Sequence, residues 1–171
     1  MEEPNAELSG LLAGIQEGFN ARAWYGDNLK RTLQKLEYEE ACWHSAPGQS
    51  SIWELVLHAS YWKFVIWRRL AGEKQAKFPR EGEDWYSRPL PEMTEAQAKK
   101  AWKADLALLN AEHNRLLEAV KALSPERLEK ENLAFYLRGI AMHDVYHIGQ
   151  IAMIRAMYKA AQETSKSRVE E

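Results

Sequence analysis

Residues 140–154 read IAMHDVYHIGQIAMI. Ile140, His143, His147, Ile151 and Ile154 recur at the spacing of one helical face, not at the alternation of a strand. His143 and His147 therefore sit one turn apart, with Cβ atoms roughly 5–6 Å from each other, and both rings can reach one ion. A single straight helix cannot wrap its side chains around a metal, so a further ligand has to come from a different helix. The stretch implies a packed helical fold with donors facing inward.

The upstream sequence supplies that helix. Ala46-Pro47-Gly48-Gln49-Ser50-Ser51 reads as a turn, with Ser50 or Ser51 as N-cap and Glu54 placed for a capping box. The helix behind it runs to about Ala71-Gly72, a glycine stop. Its stripe of Leu55, His58, Trp62 and Val65 carries a third inward histidine, 85 positions before His143. Before it, Leu8, Leu11, Leu12, Ile15 and Phe19 form one helical piece and Leu29, Leu33 and Leu36 another, interrupted around Trp24-Tyr25-Gly26-Asp27, so the first helix is expected to be broken. Glu73 to Met93 holds Pro79, Gly82, Pro89 and Pro91 with Phe78, Trp85 and Tyr86. It reads as a long loop of the kind that forms lids and site walls. Thr94 with Gln97 predicts another cap, for a helix extending to about Leu123 and stopping at Ser124-Pro125. The last helix is expected from about Ala134 to Ala161. Four long helical segments without strands predict an all-α fold, a four-helix bundle with a broken first helix and a long loop between helices 2 and 3. The expected organisation is one domain over 1–171, with a core of about 5–162 and a polar tail over 163–171.

Bulk properties narrow the function classes. The chain has 171 residues, 46% apolar and 28% charged, enough to bury a substantial core. Lys plus Arg number 23 against 25 Asp plus Glu, a formal charge of -2, so there is no electrostatic footprint for nucleic acid. The strongest apolar stretch, Ile52 to Trp67, is interrupted by Glu54, His58 and Lys63, which excludes a membrane span there. The acidic start, Met1-Glu2-Glu3-Pro4, does not resemble a signal peptide, so a cytoplasmic location is expected. Cys42 is the single cysteine and reads as a small hydrophobe.

Each histidine has a bland reading beside the functional one. A His-x-x-x-His pair alone is a weak pattern. Three inward imidazoles change the balance, because each unsatisfied buried polar group costs on the order of 1–3 kcal/mol and a shared divalent ion removes that cost. His113 lies on the stripe Trp102, Leu106, Leu109, Leu116 and Val120, and reads as a residue behind the site, a fourth ligand or plain core. His44 reads as exposed and silent. The tryptophans at helical spacing read as packing. Gly139 and Gly149 read as points of close helix approach. Asp144 and Gln150 are expected to point away from the ligands, and Arg155, Tyr158 and Arg69 are candidates for an anion-binding rim.

Ser51-Ile52-Trp53-Glu54-Leu55-Val56-Leu57-His58, followed by His143-Asp144-Val145-Tyr146-His147-Ile148-Gly149-Gln150-Ile151, resembles the DinB-like/YfiT-like superfamily of bacterial metalloproteins, known in part as DNA-damage-inducible proteins and distinct from the DNA polymerase of that name. The resemblance implies a four-helix bundle, often a homodimer, and a three-histidine site for zinc, nickel or iron on His58, His143 and His147. It further implies thiol-dependent transferase or hydrolase activity, with a low-molecular-weight thiol as possible cofactor and a small-molecule substrate. Where many relatives carry a second histidine beside the last ligand, this chain has Tyr146.

Three protein ligands leave a coordination position open, the pattern of a catalytic zinc site, where a bound water or thiol becomes a nucleophile near neutral pH. The other class of reading is a non-catalytic, metal-stabilised dimeric stress or interaction protein. The helix Ile52 to Trp67 is apolar nearly all round, which suits a helix covered on one side by its own chain and on the other by a partner.

Overall fold

The caps anticipated from the sequence are the ones that set the helix boundaries. In this computed structural model, which describes residues 5–167, the elements are α1 (Ala6–Phe19), α2 (Leu29–Thr32), α3 (Tyr38–Ala41), α4 (Ile52–Ala71), α5 (Glu95–Lys121), α6 (Pro125–Lys130) and α7 (Leu133–Ser167). Ser51 and Glu54 form a reciprocal capping box at α4, and Thr94 with Gln97 forms another at α5. Gly72 ends α4 at φ 73, a left-handed conformation that costs glycine nothing. No strand occurs among the described residues, as the all-α reading requires.

Three boundaries differ from expectation. Ser124-Pro125 does more than stop α5, which ends at Lys121. Ser124 caps the short α6, with Pro125 in its first turn where the missing N–H is not needed. α7 begins at Leu133 and runs through the expected tail to Ser167, because Ala160-Ala161-Gln162-Glu163 are good helix formers with no breaker among them. The remaining tail positions 168–171, and Met1 to Pro4, lie outside the described residues. The broken first helix is borne out: α1 stops at Asn20, and α2 restarts after Asn28, whose side chain accepts from the Arg31 backbone N–H.

The long helices pack in a ring, α1 against α7 and α5, and α4 against α5 and α7. One apolar cluster gathers Trp53, Leu57, Phe64, Trp102, Leu109 and Ile151, and a second gathers Ile15, Leu70, Leu116, Val120, Leu137 and Ile140. Each such side chain contributes about 1.5–3 kcal/mol when fully buried. α4 is buried by its own chain on both sides, through α5, α7 and the 73–93 loop, so its apolar circumference needs no second chain. Gly139 and Gly149 approach nothing within the chain. The close approach is at Gly18, where a Cβ would lie 3.1 Å from the Ala141 carbonyl oxygen and 3.4 Å from Asp144 Cβ.

That contact shelters a buried polar layer. Lys63 of α4 and Asp144 of α7 form an ion pair with both side chains fully buried. Burial pushes the Asp144 carboxyl up while the Lys63 ammonium pulls it down. His113 is fully buried beside them, its ring stacked on Phe19 with centroids 3.7 Å apart, and neither ring nitrogen has a hydrogen-bond partner. It does not back up the other histidines. Burial, then the Lys63 charge, lowers its pKa to about 3.

The folded pKa of His113 is depressed, so the stability it allows is complete above about 6.5, the unfolded value, and is lost as pH falls toward 3. His113→Leu removes an unpartnered polar group at similar volume. Urea denaturation should show stabilisation of about 1–3 kcal/mol at pH 7 and a shallower loss of stability from pH 6.5 downward. An unchanged acid limb would place the titration elsewhere.

Candidate metal centre

Helix geometry brings three imidazoles to one point. His58 comes from α4, and His143 and His147 come from successive turns of α7, with possible ligand atoms all within 4.8 Å of one another. His58 Nε2 and His147 Nε2 each lie 3.1 Å from His143 Nε2. His58 and His147 are buried and His143 is half-buried.

The 73–93 loop is the wall the sequence suggested. Phe78 and Tyr86 bury themselves against Tyr61. The buried Asp105 of α5 accepts from Arg80 Nε at 2.7 Å, Arg88 Nε at 3.4 Å and Trp53 Nε1 at 2.8 Å. So held, the loop sets Asp84 and Trp85 on His58. The Trp85 ring stacks on the imidazole at 4.0 Å. Asp84 takes a left-handed φ of 63, at a cost of roughly 1–2 kcal/mol for a non-glycine residue. In that conformation its carbonyl oxygen and its carboxylate Oδ1 both lie 3.0 Å from His58 Nδ1. Trp62 Nε1 donates to the same Oδ1 at 2.7 Å.

These contacts fix proton positions. Only acceptors face His58 Nδ1, so that nitrogen carries the hydrogen and Nε2 keeps its lone pair. His147 Nδ1 faces Gln150 Oε1 at 2.6 Å, with the same consequence. Two Nε2 lone pairs thus point at His143 Nε2, which has at most one hydrogen to give, and His143 Nδ1 is buried without a partner. Protein hydrogen bonds alone do not satisfy the cluster. The three Nε2 lone pairs could hold a divalent transition metal, and the two 3.1 Å separations lie close to the roughly 3.3–3.4 Å between nitrogens bound tetrahedrally at about 2.0–2.1 Å. Burial, then the neighbouring histidines, lowers the His143 pKa to about 3, and burial lowers that of His147 to about 4. Both rings are neutral at pH 7, the form that ligates.

Several sequence expectations are corrected by these contacts. Gln150 is not turned away, because it stands three residues after His147 and so shares its face. Asp144 does point away from the ligands as expected, inward to Lys63. Arg155 is no anion-binding rim residue: it donates to Glu40 Oε1 at 2.8 Å and to the Thr32 carbonyl oxygen at 2.6 Å. Arg69 lies over the Tyr136 ring, and Tyr158 packs edge-on to Trp43. His44 is exposed as expected but not silent, since its Nε2 lies 3.3 Å from Glu54 Oε2 in the α4 cap. Asp84 and Asp105 were missed. The available signal for Asp105 was a carboxylate on the core stripe between Trp102 and Leu109.

Two grooves flank the histidines. One, of about 670 Å³, is lined by residues including Leu55, Trp85, Tyr146, Gln150 and Met153, with no charged side chain. The other, of about 270 Å³, has His143 beside Trp62, Ile66, Phe135 and Ile140. No helix of the described residues is long and apolar enough to cross a membrane.

The sequence model described as the DinB superfamily matches residues 22–151, a span that includes all three histidines. No curated protein and no solved structure matches the chain.

In metal-free protein, proton–nitrogen correlation spectra of the imidazoles should show His58 and His147 as Nδ1–H tautomers. The His143 and His147 signals should stay neutral through pH 5 and titrate near pH 3 and 4. Midpoints near 6.5 would contradict the buried, converging arrangement.

Proposed function

The chain belongs to the DinB superfamily, and on that premise we propose that it is a metal-dependent enzyme, built as a four-helix bundle, in which His58, His143 and His147 hold one zinc, nickel or iron ion. The observation that carries this reading is the convergence of three Nε2 atoms with two of the rings locked in the ligating tautomer by Asp84 and Gln150. A metal bound by three protein ligands supplies Lewis-acid chemistry at a remaining position, lowering the pKa of a water or thiol there toward neutrality.

The chain's own residues do the rest. Asp84 and Gln150 hold the donor rings and raise their basicity through the Nδ1 hydrogens. Trp62 and Trp85 exclude water from the His58 side. The neighbouring groove is lined by neutral side chains, so it accepts a small molecule through apolar contact and hydrogen bonds from groups such as Gln150. The reaction class is nucleophilic attack on an electrophilic small molecule, as transfer from a low-molecular-weight thiol or as hydrolysis by water.

Elemental mass spectrometry of the full chain should find about one equivalent of transition metal, lost in His58→Ala, His143→Ala and His147→Ala. Asp84→Asn and Gln150→Leu should retain the ion with affinity weakened about 10–100-fold in chelator competition. Turnover of activated esters or electrophilic aromatics, assayed with and without added thiol, should vanish on chelation and in His147→Ala, and return when metal is restored to the wild type. Protein that takes up no metal on reconstitution, or turnover indifferent to chelation, would overturn the reading.

A further inference from the structure

Among the described residues, none that lines the larger groove beside the histidines is charged, in a chain of which 28% of the residues are. Its volume of about 670 Å³ is that of a small-molecule site. Two of its walls are aromatic rings that touch the histidines themselves. Trp85 stays 47% exposed while its ring stacks on His58, and Tyr146 stays 65% exposed while its ring packs edge-on against His147. An occupant lying against either ring is one ring away from the converging Nε2 atoms. The polar groups on offer are neutral. Gln150 spends its Oε1 on His147, and its amide nitrogen, without a partner among the described residues, is left to donate. Where the groove continues past Gln49, Ser50 and Trp85, the acidic group it meets is Glu54, with His44 against it.

Gly149 lies on the same wall. It sits in the middle of α7, where glycine is a poorer helix former than any residue but proline. No atom beyond its own turn of helix lies within 4 Å of where its Cβ would stand, and its φ is not left-handed. Neither close packing nor backbone conformation asks for glycine at this position. A side chain there would take up groove volume instead. The lining also sorts occupants by charge. A sulfonate or carboxylate placed here would give up its water with no cationic side chain to replace it. A flat uncharged body gains aromatic and thioether contact from Trp85, Tyr146 and Met153.

We infer that this groove binds an uncharged aromatic small molecule, admitted through the space that Gly149 keeps free, and turns away anions of the same shape. The chemistry done on that molecule rests on the metal-enzyme reading above; its selection rests on the groove alone. Gly149 is then a specificity-determining residue, because its missing side chain sets how wide a ring system can lie beside His58 and His147.

A matched pair of fluorescent probes tests this on the full chain: N-phenyl-1-naphthylamine, which is uncharged, and its 8-sulfonate, the same skeleton with one negative charge. The uncharged probe should bind at micromolar concentration with enhanced, blue-shifted emission, and the sulfonate at least about tenfold more weakly. Gly149→Leu should weaken binding of the uncharged probe by about tenfold or more. Its helical circular dichroism should be retained and its melting temperature unchanged or raised, since leucine is the better helix former. Gly139→Leu, which narrows the smaller groove at His143, should leave binding of the uncharged probe as it was. Metal content is measured on the same samples, so that absence of metal counts against the enzyme reading and the probe series counts for or against the groove. Sulfonate binding as tight as that of the uncharged probe, indifference of the uncharged probe to Gly149→Leu, or weakening by Gly139→Leu in its stead would overturn the assignment.

Discussion

A single buried carboxylate ties the loop to the helices. Asp105 sits on α5 where the stripe would otherwise be apolar, and a lone charge there would carry a desolvation cost of several kcal/mol. The structure offsets it with three cationic or N–H partners drawn from two places, Trp53 on α4 and the guanidinium groups of Arg80 and Arg88 on the loop. α4, α5 and the loop are thereby locked at one point. Everything that reaches His58 from above, the Asp84 acceptors and the Trp85 ring, hangs from that lock.

The histidine cluster is a problem in counting hydrogens. Acceptors at two Nδ1 positions leave lone pairs facing inward, and the protein offers no third partner for them. Elsewhere the chain tolerates an orphaned imidazole by stacking it on Phe19, as at His113. At the cluster, three rings are concentrated and aimed at one volume, beside a buried ammonium that further disfavours protonation of His143 and His147. Packing alone gives no reason for that concentration.

What could be read from the sequence was local or periodic. Ser51 with Glu54 and Thr94 with Gln97 announce their helices because a capping box spans three residues. His58, His143 and His147 fall on apolar stripes, so their inward direction followed from the 3.6-residue period. Asp84 and the Asp105 partners could not be read that way, since the contacts cross 17 to 52 positions with no repeat to mark them. Gln150 was legible in principle, at three residues from His147, but was grouped with sequence neighbours instead of with its helical face. Gly139 and Gly149, read as points of close helix approach, meet no other element of the chain.

Arg155 fastens the broken N-terminal segment to the last helix, reaching Thr32 and Glu40 across 123 and 115 positions. α2 and α3 have four residues each, too few to persist as isolated helices. α3 meets α4 and α5, whereas α2 packs chiefly on α7, a contact that forms only after closure of a loop whose entropy amounts to about 4 kcal/mol beyond a constant. Ordering of α2 thus waits on the far end of the chain, a non-local dependence of the kind that slows folding. An elongating chain leaves Leu29 without most of its cover until its C-terminal helix emerges.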